Sequence, residues 1–334
     1  MGSYRRAARP LLFAIPPEAA HRVAGAILRL PLPWRRIGGV AADPALETDL
    51  AGIGLPNPVG LAAGFDKSCR YLPAMGHLGF GYVVGGTVTR RPRRGNAKPR
   101  IVRRPETASM VNSMGLPNRG AEYAAARLRA ARRTSPVLIS LADEELADVM
   151  ANHALLEPLV DGVELNVSCP NVSWGRDRDN EDHVASLLRE LGRRRTKPLF
   201  VKLPPFRTEP EREAVLTLAR IAVGGGADGL TCFNSLPVPE PRLAGRSGGL
   251  SGRPLFDHTV VGVAAIHDAT GGAVPINACG GVFAAGDARA CLEAGATTVQ
   301  VYTALIYQGP RIVRRITEGL TALATRRAAP SRTA

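Results

Sequence analysis

Eight short apolar runs recur between residues 57 and 304 with helical stretches between them, and this alternation constrains the fold more than any other feature. The runs are 57–63 (NPVGLAA), 82–89 (YVVGGTVT), 136–142 (PVLISLA), 162–168 (GVELNVS), 199–204 (LFVKLP), 229–235 (GLTCFNS), 275–281 (PINACGG) and 298–304 (TVQVYTA). Helical stretches are expected at 117–133, 143–157, 181–195, 209–224, 257–269 and 284–294. Strand and helix in alternation predict a (β/α)8 TIM barrel, an α/β fold, rather than an open doubly wound sheet. No GxGxxG follows the first run, which counts against a Rossmann dinucleotide site. The chain divides into an N-terminal helical extension (1–40), the barrel (41–324) and a tail (325–334, TRRAAPSRTA) expected to be disordered.

The extension reads as two short amphipathic helices, Tyr4–Phe13 and Glu18–Leu30, separated by Pro16-Pro17. It carries seven arginines and one acid. Such a pair lies on an anionic membrane surface or caps the end of the barrel, and the residues alone leave both open. Two connections exceed what a barrel needs: 90–118, whose Arg90–Arg104 holds eight basic residues and no acid, and 236–256, rich in Pro and Gly. Long connections in compact domains tend to be lids or binding loops, although a basic run is equally a solvated loop.

The net charge of +14 admits nucleic acid, an anionic membrane or an anionic small molecule as partner. Only four of the 43 basic residues are lysine, namely Lys67, Lys98, Lys197 and Lys202. No apolar run approaches the ~18 residues of a membrane span, and no secretory signal is evident. Five scattered cysteines without CxxC pairing speak against a disulfide framework or a zinc site and fit a reducing, cytoplasmic setting.

In a TIM barrel catalysis sits at the C-terminal ends of the strands. Those ends here carry Ala62-Ala63-Gly64-Phe65-Asp66-Lys67, Gly85-Gly86-Thr87, Asn166 with Cys169 and Asn171, Lys202, Asn234-Ser235, Gly280-Gly281 and Tyr302-Thr303, while the 90–118 connection adds Asn112. Cys169 between carboxamides is either a proton-transfer group or a buried structural thiol. Gly281, Tyr302 and Thr303, with Gly252 from GGLSGRP (248–254), occupy the phosphate-binding corner of such barrels. Small residues at Ala63 and Gly64 leave room for a flat ring. Lys202 is placed to stabilise negative charge on a reduced flavin, and the asparagines suit an amide-rich planar substrate.

Collected in order, NPVGLAAGFDK (57–67), GGTVTRRPRRGN (85–96), VNSMGLPNRG (111–120), ELNVSCPN (164–171), VKLPP (201–205), GGLSGRP (248–254), CGGV (279–282) and VQVYTALIYQGP (299–310) resemble the dihydroorotate dehydrogenase family over residues 4 to 320. The resemblance implies FMN as cofactor, no metal, and oxidation of dihydroorotate to orotate in pyrimidine biosynthesis. It implies Cys169 as the base, and Lys67, Asn112, Asn166, Asn171, Asn234 and Ser235 as substrate-binding residues. It implies Ala63, Gly64, Lys67, Thr87, Asn166, Lys202, Gly252, Gly281, Tyr302 and Thr303 around the FMN.

The helix pair, AAGFDK and GGLSGRPL are similar to the membrane-associated, quinone-linked branch, whereas a cysteine base resembles the soluble branch. Ser140-Leu-Ala-Asp-Glu144 departs from the Gly-Lys-Asn of the quinone-linked branch. Access of the acceptor is governed by the helices and not by the base, so quinone is expected, at the inner face of the cell membrane, with no nucleic acid partner. Fumarate as acceptor, another dihydropyrimidine as substrate, and a tRNA dihydrouridine synthase-like activity are the alternatives. Oligomeric state is left open.

Overall fold

The computed structural model describes residues 4–167 and 180–328. A π-helical turn, Tyr4–Ala8, runs into α1 (Arg9–Ala14), followed by α2 (Pro17–Leu28) and α3 (Trp34–Gly38). Pro17 opens α2 because the first helical N–H has no partner to lose. The expected helix pair is present, although its first member is a π turn joined to an α-helix rather than one continuous α-helix.

A hairpin of β1 (Thr48–Leu50) and β2 (Ile53–Leu55) precedes the barrel. Eight parallel strands then close on themselves: β3 (Val59–Asp66), β4 (Tyr82–Val88), β7 (Val137–Leu141), β8 (Gly162–Asn166), β9 (Leu199–Leu203), β10 (Gly229–Cys232), β13 (Ile276–Cys279) and β14 (Thr298–Val301). All eight coincide with the apolar runs, and Val299 beside Val59 closes the ring. Continuous burial along each strand is what a sheet covered on both faces demands.

Around the strands lie α4 (Leu72–His77), α5 (Ala121–Ala130), α6 (Leu146–Leu156), α7 (Asn180–Gly192), α8 (Glu209–Gly224), α9 (Phe256–Ala269), α10 (Ala285–Glu293), α11 (Thr303–Gln308) and α12 (Ile312–Ala328). The start of α8 is fixed by a capping box: Thr208 Oγ1 accepts from the Glu211 N–H, and the Glu211 carboxylate accepts from the Thr208 N–H. The stretch 117–133 becomes helical only at Ala121, because Gly120 adopts φ +82° just before it. Helix α12 continues to Ala328, four residues into the stretch assigned to the tail.

The two long connections are not irregular lids. They supply β5 (Ile101–Arg104) and β6 (Ser109–Asn112) from one, and β11 (Leu236–Pro239) and β12 (Ser247–Gly252) from the other. These pair as one antiparallel sheet in the order β11-β12-β6-β5. Buried Glu240 secures it, accepting from Arg104 at 2.8 Å and from Arg242 at 2.7 Å. The helix pair docks on the same sheet: Arg100 binds Glu18 at 2.7 Å, and the Arg103 guanidinium donates to the carbonyls of Leu12 (2.9 Å), Phe13 (3.4 Å) and Ile15. Arg103 also lies 4.5 Å from the Phe13 ring centre. The basic run Arg90–Arg104 is thus partly consumed in fastening the extension to the roof of the barrel.

The barrel interior is layered. The hairpin residues Leu50, Ile53 and Leu55 pack with Tyr82, Val84, Leu138 and Phe200 into an apolar plug at the N-terminal end. Gly60 and Gly229 make room for it, since a Cβ at either would lie 2.3 Å or 2.5 Å from the Tyr82 or Phe200 ring. Each large side chain so buried contributes about 1.5–3 kcal/mol. Beyond the plug is a polar layer. Tyr82 Oη contacts Thr298 Oγ1 at 2.8 Å and receives a bond from Gln300 Nε2 at 3.1 Å. Asn277 Nδ2 donates to Thr231 Oγ1 at 3.3 Å, and that hydroxyl donates to Glu164 Oε2 at 2.9 Å.

Candidate active site

Above the polar layer, the C-terminal strand ends bring three hydrogen-bonded groups together. The first joins four strands. Asn166 Nδ2 at the end of β8 donates to Thr87 Oγ1 of β4 at 3.1 Å, and Asn166 Oδ1 accepts from Asn234 Nδ2 after β10 at 3.4 Å. Thr87 Oγ1 also lies 3.0 Å from Ser140 Oγ of β7. The second group follows β3, where the Gly64 carbonyl accepts from Lys67 Nζ at 2.5 Å and from Tyr302 Oη at 3.3 Å. Gly64 holds φ +94°, a conformation open to glycine at little cost, and so turns its carbonyl toward both donors.

The third group belongs to the roof. Asn112 Nδ2 donates to the Gly249 carbonyl at 3.3 Å, and Gly249 leaves space for Ser235, whose Oγ would lie 1.9 Å from a Cβ there. The Ser235 N–H is held by Asn234 Oδ1 at 2.8 Å. Lys202 lies on β9 with Asn166 and Thr231 beside it in register, and it is 5% exposed. Burial favours its neutral amine, but the negative charge of Glu164, and next Cys279, turns the net shift of its pKa upward. Burial also raises the Cys279 thiol, against the opposing pull of Lys202.

A narrow cleft opens beside these groups between β10, β12, β13 and β14. Asn234, Ser235, Gly252, Gly281, Tyr302 and Thr303 all line it. Its walls are main chain where an anion has to approach closely. A Cβ on Gly281 would lie 2.3 Å from the Phe256 nitrogen, and one on Gly252 would lie 2.5 Å from the Ala108 carbonyl. Thr303 Oγ1 donates to Ser251 Oγ at 3.2 Å, bringing two hydroxyls to the same corner. Gln300 Oε1, also at this cleft, is buried with no hydrogen-bond partner. Glycine amides and paired hydroxyls in the cleft, with the Lys202 ammonium on β9 of the same barrel, fit a phosphorylated planar cofactor. A larger, more open hollow of about 550 Å³ lies at the opposite end of the barrel, around the hairpin, Arg133, Asp161 and Lys197. None of the strand-end polar groups reaches it, so it is set aside as the reaction site.

Ala63 is a partly buried residue packed against the apolar plug. Cys169 and Asn171 lie outside the described residues, as does the Ser168 that ended the fourth expected strand. Several residues at the site were not singled out from the sequence. Glu164 is a fully buried acid, and its alternation with Asn166 was the available signal. Ser140 is reached only through its contact with Thr87 on the neighbouring strand, whereas the hydroxyl of Ser251 was already offered by GGLSGRP. His21 of α2 sits 5.3 Å from the Phe65 ring, which is 5.6 Å from Tyr302, so an aromatic path leads from the helix pair to the strand ends. Burial first, and then Lys67, depress His21 to about 4.

Among the described residues, no group of three or more His, Cys, Asp or Glu side chains is gathered as a metal site, and no helix is long and apolar enough to cross a membrane. Comparison with known proteins agrees with the geometry. A family model described as dihydroorotate dehydrogenase matches residues 45–323. A dihydroorotate dehydrogenase (quinone) of Novosphingobium aromaticivorans is 37% identical over 331 residues, covering 93% of each chain. One of Synechococcus sp. is 38% identical, covering 99% of this chain and 95% of the relative. The crystal structure of DHODH from Eimeria tenella in complex with ferulenol superposes with a TM-score of 0.81 at 29% identity, covering 93% of this chain and 92% of that one.

Proposed function

We propose that this chain, which belongs to the dihydroorotate dehydrogenase family, oxidises dihydroorotate to orotate with FMN as its flavin and a quinone as final acceptor. The observation that carries the reading is the convergence of Thr87, Asn166 and Asn234 from three strands beside the buried ammonium of Lys202. Carboxamides present paired donors and acceptors to a pyrimidine ring, and Asn112, Asn171, Ser235 and Lys67 complete the set for its carbonyls and carboxylate. Cys169 is the base that takes the C5 proton of the substrate. A thiol is half-ionised only near pH 8.5 when unperturbed, so neighbouring positive charge assists it. Bound flavin supplies the hydride acceptor and the relay of electrons to the quinone. Gly252, Gly281, Tyr302 and Thr303 hold its phosphate end, Ala63, Gly64 and Thr87 flank the ring, and Lys202 faces the position where negative charge develops.

Quinone is supported by the extension rather than by the base. Leu11, Val23, Ile27, Leu30 and Leu32 of the helical segment are exposed among its arginines, and the path His21–Phe65–Tyr302 runs inward from it. That surface suits peripheral attachment to the anionic inner face of the cell membrane. The test is direct. The purified protein should be yellow, should release FMN on denaturation, and should bleach anaerobically with dihydroorotate and recover colour with a soluble quinone. A colourless protein, or a flavoprotein that dihydroorotate leaves oxidised, refutes the reading; recovery with fumarate and not with quinone refutes its acceptor.

A further inference from the structure

Glu164 has no place in the substrate or cofactor contacts above, yet it is an acid buried to 0% exposure inside a barrel. Isolated buried charge is costly enough that a group normally neutralises rather than stay ionised without compensation. One carboxylate oxygen, Oε2, is fixed by Thr231 Oγ1 at 2.9 Å, and the other, Oε1, is buried with no hydrogen-bond partner. Lys202 stands on the adjacent strand β9, its main chain in register with Thr231 on one side and with Asn166, two residues beyond Glu164, on the other. The same hydroxyl-bearing residue that orients Glu164 therefore flanks Lys202.

We propose that Glu164 is a positioning residue that keeps Lys202 an ammonium beside Asn166 at the strand ends, a role that rests on reading those strand ends as the flavin site. The other titratable groups around Lys202 contribute less, Cys279 raising it only after Glu164. Cys279 on β13, Cys232 on β10 and Tyr82 on β4 are all held toward their neutral forms by burial. Burial alone pushes Lys202 toward the neutral amine, and Glu164 is the largest opposing influence on it. In register Glu164 lies beside Phe200, two residues nearer the N-terminal end of the strands than the Asn166–Lys202 pair, so it sits one layer deeper than the strand ends and makes no direct salt bridge with Lys202. Thr231 and the Asn277 amide behind it keep the carboxylate from swinging upward.

The test is the titration of Lys202 in the protein as purified. With only four lysines in the chain, lysine-selective 13C labelling gives four side-chain signals, and Lys202→Met identifies the one of interest. Glu164→Gln should lower its midpoint by at least about 1 pH unit, the low end for removing a nearby opposite charge. Reduction by dihydroorotate should lose its rate at alkaline pH with the same midpoint. Glu164→Asp, which keeps the charge but draws it back, should give a smaller fall, and it carries the test if the glutamine variant does not fold. An unchanged Lys202 midpoint in a folded variant overturns the proposal. A shifted lysine in a protein that does not oxidise dihydroorotate would overturn the functional reading and leave the Glu164–Lys202 coupling standing. A working dehydrogenase whose Lys202 ignores both substitutions would do the reverse.

Discussion

Replacing Arg103 with methionine should undock the first helix of the extension while the barrel keeps its chemistry. The guanidinium donates to the carbonyls of Leu12, Phe13 and Ile15, which close α1, and lies 4.5 Å from the Phe13 ring centre. A hydrogen bond from a charged donor contributes about 1.5–3 kcal/mol, and a partly exposed cation–π contact about 0.5–1 kcal/mol. The sum overstates the loss, because water solvates the carbonyls once the helix lifts and methionine preserves part of the packing. A net cost of about 3 kcal/mol follows, roughly a 10²-fold fall in the docking equilibrium constant. Tyr4, whose hydroxyl donates to the Ile306 carbonyl at 2.7 Å, and the Phe13–Tyr307 contact at 5.2 Å remain to hold the segment loosely. Hydrogen exchange of amides 9–15 should accelerate by about that factor if local opening governs exchange. Steady-state quinone turnover should drop in parallel, while single-turnover flavin reduction by dihydroorotate stays at the parental rate. Unchanged exchange would refute the anchoring argument. Faster exchange with full quinone turnover would show that the helix pair has no part in acceptor access.

Three further outcomes are expected. Cys169→Ala should retain its flavin but slow reduction by dihydroorotate by at least about 10²-fold, as read by stopped-flow absorbance, and parental rates would place the base elsewhere. Gly281→Ala puts a Cβ 2.3 Å from the Phe256 nitrogen at a residue with φ +73°, so a thermal scan should show a melting point lower by at least about 4 °C and the eluted protein should be depleted of FMN. His21 is depressed to about 4 in the fold against about 6.5 when free, so the unfolded or undocked chain binds more protons between those values. Its contribution to docking is therefore complete above about pH 6.5 and is lost as pH falls toward 4; His21→Asn should flatten that part of the pH dependence of exchange in α2.

The barrel was legible because its strands are mostly buried on both faces and so read as short, largely apolar runs, from Val59 to Val301, with Gly162–Asn166 showing as an alternation. The roof was not. Ile101–Arg104 and Ser247–Gly252 lack such a run, and what makes them strands is pairing between connections that lie far apart along the chain, which no local pattern encodes. The strand-end asparagines and lysines stood out because polar residues that close apolar runs are few. Arg103 was hidden among neighbours of the same type, and its partners are main-chain carbonyls, which leave no trace in side-chain sequence. Glu164 was visible as one tooth of an alternation, but its link to Lys202 depends on Thr231 from a third strand. The hairpin plug escaped notice because Thr48–Leu55 is too short to register as two strands.

The order in which the chain is made has a consequence for the docked helix pair. The extension leaves the ribosome ahead of the barrel, yet its seats are Arg103, some ninety residues further on, and the Ile306 carbonyl, about three hundred residues further on. Barrel closure likewise waits for Val299 to meet Val59. For almost the whole of synthesis an arginine-rich segment bearing Leu11, Val23 and Ile27 has nothing of its own chain to lie on. A nascent polypeptide in that condition has two sinks for the exposed surface, a chaperone or a nearby bilayer. Ribosomes translating this message should therefore be drawn to anionic vesicles well before the enzyme exists, and deleting residues 1–36 should abolish that recruitment.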